Sequence, residues 1–433
     1  MTRHPSKKLS CSIAFLATLS MASLGLAQEA DWPQWRGPNR DGHAAPQSLL
    51  QEWPEGGPKT KWEYRGAGIG YSAFSIVGNR LYTMGSRKYD CFTICLDAKS
   101  GELIWETITS RSANGNDYAH GWGGGPRSTP TVDGDFVYSL SDVGVLACLN
   151  RNDGNMIWSV DYMNQFKGAI PKWGFSESVL IDGDRVIGTP GGEPFMVGLD
   201  KATGKVVWSS TDIKESAQYV SPIKHKMRET AFYVTANKSG LVGVDATSGK
   251  TLFSDSATGN DVAVIPTPII AGDLLYHTSD YGAGNTLLRL SQEDGLINAE
   301  SIYHLSTKSM QNHHGGVVLI DGVIYGFTKS NGGEWMAQDL ESGETLWSEK
   351  LRPNRSGSIS FADGRLYCYN DEEGSVVLVE PSREGWKKHG ELKLPDKTKI
   401  ERGSGAIWAH PTIAGQTLYL RDQDLIFAFD IAR

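Results

Sequence analysis

The side chains of this chain that are suited to chemistry gather in four short segments. The richest is Asp117-Tyr118-Ala119-His120-Gly121-Trp122-Gly123-Gly124-Gly125-Pro126-Arg127, and the others are Lys172-Trp173, Asn312-His313-His314 and Trp408-Ala409-His410. Indole faces with imidazoles and a guanidinium suit a planar, anionic or carbohydrate-like ligand, because the rings stack while the nitrogens hydrogen-bond. His120, Trp122, Arg127, Trp173, His313, His314, Trp408 and His410 are therefore the candidate ligand-binding residues. Each also has a plainer role. Trp122, Trp173 and Trp408 are read first as packing residues, and Arg127 suits an acidic partner as well as it suits a ligand. His313 and His314 are not read as metal ligands: neighbours on a strand point to opposite faces, and no third ligand is evident. Asp280-Tyr281-Gly282-Ala283-Gly284-Asn285 has oxygen donors without the spacing of an EF-hand loop, so it is read as a turn. No GxSxG, HExxH or Walker A pattern occurs, and no catalytic residue is assigned.

The segments that hold these residues belong to a repeat. A small residue, any residue, Asp, a short polar run, Gly, three residues and Trp recur as Cys95-Leu96-Asp97 with Gly101 and Trp105, and as Gly198-Leu199-Asp200 with Gly204 and Trp208. Gly243-Val244-Asp245 with Gly249 and Phe253, and Ala337-Gln338-Asp339 with Gly343 and Trp347, repeat it. Cys148, Asn150, Gly154 and Trp158 form a degraded copy, and a weaker one follows Leu290 with Gly295. An apolar strand, a Gly turn and a strand ending near Tyr precede each copy, as in Ile76-Val77-Gly78 to Tyr82 and Ile413-Ala414-Gly415 to Tyr419. The copy around Phe232-Tyr233 lacks the glycine. Eight copies lie about 48 residues apart, within the period of propeller repeats.

Each unit reads as strand, Gly turn, strand, loop, strand, Asp-to-Gly turn, strand. Glycine supplies the positive φ of tight turns, and Asp accepts backbone hydrogen bonds across the second turn. Four short strands at this period predict an all-β, eight-bladed β-propeller. The last unit, Ala428-Phe429-Asp430, stops at Arg433 without its Trp strand, while Lys59-Thr60-Lys61-Trp62-Glu63-Tyr64 is an orphan strand with a Trp. The N-terminal strand is therefore expected to complete the eighth blade and remove two exposed edges. Trp62, Trp105, Trp158, Trp208 and Trp347 are the expected docking residues between blades, and a single chain that closes on itself is expected to be monomeric.

Composition bounds the rest. Of 433 residues, 39% are hydrophobic and 21% charged, as in a globular chain, and the formal charge is −8. Acidity of this size lacks the basic footprint of non-specific nucleic-acid binding. Arg3, His4, Lys7 and Lys8, an apolar stretch from Leu9 to Leu26, and Gly25-Leu26-Ala27 before Gln28 have the pattern of a secretory signal peptide. Residues 1–27 are thus expected to be a leader, 28–61 an arm and 62–433 the propeller, exported to the periplasm or beyond, with no membrane span in the mature chain. Export permits disulfides, but Cys91 and Cys95 lie roughly 13 Å apart along one strand, too far to pair. With Cys148 and Cys368 they are read as small buried apolar residues.

The Asp-to-Gly-to-Trp phrase resembles the tryptophan docking repeat of the pyrroloquinoline quinone (PQQ)-type eight-bladed propellers. Trp32-Pro33-Gln34-Trp35-Arg36-Gly37-Pro38-Asn39-Arg40-Asp41-Gly42 is similar to the lead-in of a subgroup of secreted bacterial PQQ-like repeat proteins. By itself that segment is read as an arm packed on the protein's own surface, with partner docking as the second reading. The resemblance covers residues from about Trp62 to Arg433 and implies either of two activities. Quinoprotein alcohol dehydrogenases hold PQQ in the channel between a Trp and a disulfide of adjacent cysteines, with a Ca²⁺ that polarises the quinone and an Asp as base. Relatives such as BamB are non-catalytic scaffolds. This chain has no adjacent cysteine pair, no CxxCH haem site, and no segment onto which the calcium ligands map. The expectation is a non-catalytic exported propeller that binds a protein or polymer through its face. A PQQ-dependent alcohol dehydrogenase is the alternative and a polysaccharide-binding module the third reading.

Overall fold

In the computed structural model the chain is described over residues 1–2, 30–293, 295–306 and 308–433. The expected leader lies, beyond its first two residues, outside the described residues. Each repeat forms one antiparallel four-stranded sheet, and eight such sheets are described. Blade 1 comprises Ser75–Val77, Arg80–Arg87, Asp90–Asp97 and Leu103–Arg111. The innermost strands of blades 2 to 8 are Thr131–Asp133, Leu180–Asp182, Ile223–Met227, Ile269–Ala271, Val317–Ile320, Gly357–Ala362 and Thr412–Ala414. The innermost strands of blades 1 and 2, 2 and 3, 6 and 7, and 7 and 8 lie side by side around the axis. The molecule is an all-β, eight-bladed propeller, with one short α-helix among the described residues, Tyr162–Phe166. Among the described residues no helix is long and apolar enough to cross a membrane.

Closure follows the expected route. Thr60–Arg65 pairs with Leu425–Asp430 as the outermost strand of blade 8, with Trp62 opposite Ala428. The same small-opposite-aromatic register holds for Cys95 and Trp105, Cys148 and Trp158, Gly198 and Trp208, and Ala337 and Trp347.

The geometry between blades explains why the repeat keeps Gly and Trp together. A Cβ on Gly101, Gly154, Gly204 or Gly249 would meet the ring of Trp62, Trp105, Trp158 or Trp208 of the preceding blade at 2.5 to 2.8 Å. Each of these glycines has φ between +71° and +74°, so both the turn and the indole above it require the absence of a side chain. Indole N–H groups donate into the same turns: Trp62 to Ala98 O at 3.0 Å, Trp105 to Arg151 O at 3.2 Å, Trp158 to Lys201 O at 3.1 Å and Trp347 to Ser382 O at 2.7 Å. The repeat tyrosines share these acceptors, Tyr138 donating to Lys201 O at 3.0 Å and Tyr419 to Ala98 O at 3.2 Å.

Three blades depart from the pattern. In blade 4, which lacks the glycine turn, Arg228 adopts φ 51° where blade 1 has Gly78 at φ 59°, so the turn persists without glycine. In blade 5 the weak copy expected after Leu290 is displaced: Gly284–Glu293 and Leu296–Leu305 are ten residues each, and the docking aromatic is Tyr303, opposite Leu287. Tyr303 donates to Leu340 O at 2.8 Å. In blade 7, Gly390 stands opposite Leu378, and the arm supplies the missing ring. Trp53 is buried there, its Cβ filling the space over Gly390 and its ring 5.8 Å from Tyr367.

The four described cysteines, Cys91, Cys95, Cys148 and Cys368, are free and buried. The arm packs on the protein itself, and it does so inside the ring. Residues Trp32–His43 lie within the channel, because their partners are at the innermost strands of blades on opposite sides of the ring.

Candidate functional site

Strand alternation sends every connection from an outermost strand to the next innermost strand to one face of the ring, together with the hairpins between second and third strands. On that face the channel widens into a cup of about 280 Å³. One repeat position builds its wall. Tyr71, Arg127, Ser176, Tyr219, Ile265, His313 and Trp408 line the cup, and each stands four residues before an innermost strand. Only blade 7 contributes nothing from this position, where it has Pro353.

Of the sequence-derived candidates, Trp122, Arg127, Trp173, His313, His314, Trp408 and His410 come together on the cup wall. His120 does not line it, and its ring lies 4.4 Å from that of Tyr118. Trp122 and Trp408 stack with ring centroids 6.3 Å apart, and Trp122 is 44% exposed at the mouth. Arg127 donates to Gly125 O at 3.0 Å and Gly123 O at 2.8 Å, lies over the faces of Tyr71 and Tyr118, and its charge acts on buried Asp142. Lys172 Nζ stands 4.8 Å from the centre of the Trp173 ring. His313 and His314 occupy one wall together, because they precede the strand and are free of its alternation. The Asp280–Asn285 segment does turn the chain, and it also puts Tyr281 on the wall, where its hydroxyl lies 3.0 Å from His313 Nε2.

Burial sets the charge state of the imidazoles. His313 is lowered to about 4 and His410 to about 3, and His314 falls well below its ordinary value, in each case chiefly through desolvation. All three are neutral near pH 7. His410 Nε2 lies 3.0 Å from His314 O; a carbonyl only accepts, so Nε2 carries the proton and Nδ1 is a bare acceptor. That Nδ1, both ring nitrogens of His314 and the Trp408 N–H are buried without a partner among the described residues. Unpaired buried polar atoms are costly unless another group completes them. The cup thus offers ring faces, two cations, and unmatched donors and acceptors, with no carboxylate in its lining.

Sequence reading did not find Trp35, Tyr71, Ser176, Tyr219 or Ile265, all of which line the cup. Alignment of the blades on their innermost strands is the signal that finds the last four. Trp35 has no such signal, since it comes from the arm.

The residues fit the quinone cofactor of the resembling dehydrogenases only in part. Trp122 and Trp408 could stack on a planar ring, but a calcium ion needs six to eight oxygen ligands. Asp142, Asp371 and Asp422, on hairpins of the same face, each bond within their own surroundings: Asp142 Oδ2 accepts from Tyr118 Oη at 2.7 Å, Asp371 from Arg355 N at 3.0 Å, and Asp422 from Thr398 N at 3.0 Å, while Asp142 Oδ1 has no partner among the described residues. Among the described residues no group of three or more His, Cys, Asp or Glu is arranged to hold a metal ion. The calcium-bound cofactor does not fit this donor set.

Comparison with known proteins agrees with the fold. The family model described as outer membrane protein assembly factor BamB matches residues 92–349. No curated protein sequence matches the chain. Among solved structures, BamB from Moraxella catarrhalis is 14% identical with a TM-score of 0.61, covering 86% of this chain and 99% of that one. The quinohemoprotein alcohol dehydrogenase of Comamonas testosteroni is 11% identical with a TM-score of 0.63, covering 93% of this chain and 81% of that one. The corresponding enzyme ADHIIG of Pseudomonas putida HK5 is 12% identical with a TM-score of 0.61, covering 93% and 80%. At these identities the likeness is one of fold.

Proposed function

The chain belongs to the family described as outer membrane protein assembly factor BamB, and from that premise we propose that it is a non-catalytic binding propeller of the cell envelope that captures a protein partner on the face bearing the cup. The carrying observation is the cup wall, with four Trp, three Tyr and one Arg, unmatched buried polar atoms and no carboxylate. Those residue types dominate binding hot spots, where aromatic anchors enter desolvated pockets. The Asp base that the dehydrogenase resemblance implies has no counterpart in the cup lining, which contains no carboxylate. The leader at 1–27, the arm at 28–61 and the propeller at 62–433 make an exported, monomeric protein in this reading. N-terminal sequencing of the envelope fraction is then expected to begin at Gln28.

The test is site-specific photo-crosslinking from position 122 in the full-length chain expressed in its own cells. A discrete protein adduct that disappears in the Trp408→Ala, Arg127→Gln double variant is expected. Purified protein supplied with PQQ and Ca²⁺ is expected not to reduce a dye with alcohol as donor. Cofactor-dependent alcohol oxidation, lost on substitution of Arg127, would replace this proposal with the dehydrogenase reading.

A further inference from the structure

The propeller's channel runs from the cup face to the face of the Gly and Asp-Gly turns. The arm enters it from that second face, where Asp31 Oδ1 accepts from Gly78 N at 2.9 Å, in the turn of blade 1. Trp32 then exchanges two backbone hydrogen bonds of 2.8 Å with Ile76 in blade 1, and Pro33 O accepts from Val132 N of blade 2. Arg40 donates to Val179 O at 3.0 Å and to Ser178 O, both at the innermost strand of blade 3. Trp35 Nε1 donates to Thr267 Oγ1 beside blade 5 at 2.9 Å, and Arg36 donates to Val317 O of blade 6. Gly42 O accepts from Phe361 N of blade 7 at 2.8 Å. In a ring of eight, blades 1 and 5, 2 and 6, and 3 and 7 are opposite pairs. A short segment bonded to both members of all three pairs must lie across the axis.

The fit is reciprocal. A Cβ on Gly316 would stand 2.0 Å from Arg36 Nη1, so the barrel leaves a side chain out where the guanidinium enters. Arg36 and Arg40 are 4% and 3% exposed, with left-handed φ of 58° and 61°. Burying two guanidiniums carries a desolvation cost, and it lowers Arg36 to about 10 and Arg40 to about 9. A tether lying on the surface would incur none of this. Their donors instead meet the carbonyls that innermost strands present to the channel, a role that suits the guanidinium fork.

We infer that Trp32–His43 is a built-in plug of the channel and that Trp35, standing on this plug, is a ligand-contacting residue that forms the floor of the cup. Its indole is held by Thr267, lies 4.4 Å from the His410 ring, and forms part of the cup lining. The plug turns a through-channel into a one-ended site, so that a ligand enters and leaves at the mouth, where Trp122, Val262 and Tyr281 are exposed. The part played by Trp35 rests on the reading of the cup as a binding site; the plug does not.

Two measurements on the mature full-length chain separate these claims. Anilinonaphthalene sulfonate, an anionic aromatic dye, is expected to bind at one saturable site weakened by Trp122→Ala at the mouth. Trp35→Ala is expected to weaken the dye about tenfold, the scale of one lost aromatic contact, and Trp35→Phe to restore most of it. Dye binding that responds to Trp122→Ala but not to Trp35→Ala overturns the floor assignment, and no cup-dependent dye binding at all overturns the reading of the cup. Native trypsin digestion tests the plug without any ligand or folding risk. Arg36 and Arg40 are expected to resist cleavage while exposed Lys59 is cut, and the Arg36→Met, Arg40→Met double variant is expected to expose the arm to chymotrypsin at Trp35. Wild-type cleavage after Arg36 or Arg40 as fast as after Lys59 overturns the plug.

Discussion

Trp62 covers Gly101 so closely that a Cβ added to the glycine would stand 2.5 Å from the indole. The tryptophan belongs to the first strand of the propeller and closes blade 8, whereas the glycine belongs to blade 1. The contact is therefore the seam of the ring. Trp62→Ala removes a buried aromatic and is expected to cost roughly 3–5 kcal/mol. Denaturant unfolding measures the cost, and faster hydrogen exchange over Leu425–Asp430 locates it. Unchanged exchange in that strand would count against the seam.

Trp53 performs the equivalent service for blade 7, from the arm. Trp53→Ala is expected to cost about 3 kcal/mol, with the increase in hydrogen exchange centred on Lys387–Lys393 rather than on blade 8. If the loss were confined to residues 44–57, Trp53 would be a passenger of the arm and not a docking residue.

Glu177 stands next to Ser176 of the cup wall, buried, accepting from Thr189 N at 2.6 Å. Desolvation raises its carboxyl to about 7, opposed by hydrogen bonds from Thr189 and by the charge of Arg40. A raised carboxyl pKa favours the folded state when protonated. The stability so contributed is complete below about pH 4.5, the ordinary value, and is lost as pH rises through about 7. Relative to wild type, Glu177→Gln is expected to gain roughly 1–3 kcal/mol between these limits. Parallel pH–stability curves for the two proteins would contradict the assignment.

Burial raises all four described thiols, Cys95 and Cys148 to about 12 and Cys91 and Cys368 well above their ordinary value. Thiolate is the reactive form. The native mature protein is expected to leave Ellman's reagent uncoloured at pH 8 and to release four equivalents when unfolded. Rapid labelling of any one thiol in the native state would show that its blade opens.

The fold was legible in the sequence because each of its devices is local. An Asp that caps its own turn, a Gly with positive φ and a Trp four residues later recur within one unit, and the indole docks on the neighbouring copy of the same turn. Blade 5 escaped this reading because its longer hairpin moves the docking aromatic to Tyr303. Blade 7 escaped because its ring comes from Trp53, far away in the chain.

The candidate site was legible by composition but not by assembly. Trp122, Arg127, His313 and Trp408 stood out as residue types, yet alternation along a strand wrongly set His313 and His314 on opposite faces, since no strand holds them. The repeat can be read along the chain, and with it the number of blades and the strand that closes the ring. The cup was decided by ring closure, which carries the same position of successive blades to one axis. The plug was decided only by the tertiary structure, because Trp35 and Thr267 meet across 232 residues. No periodicity marks such a contact; it exists only once the channel has formed around the arm.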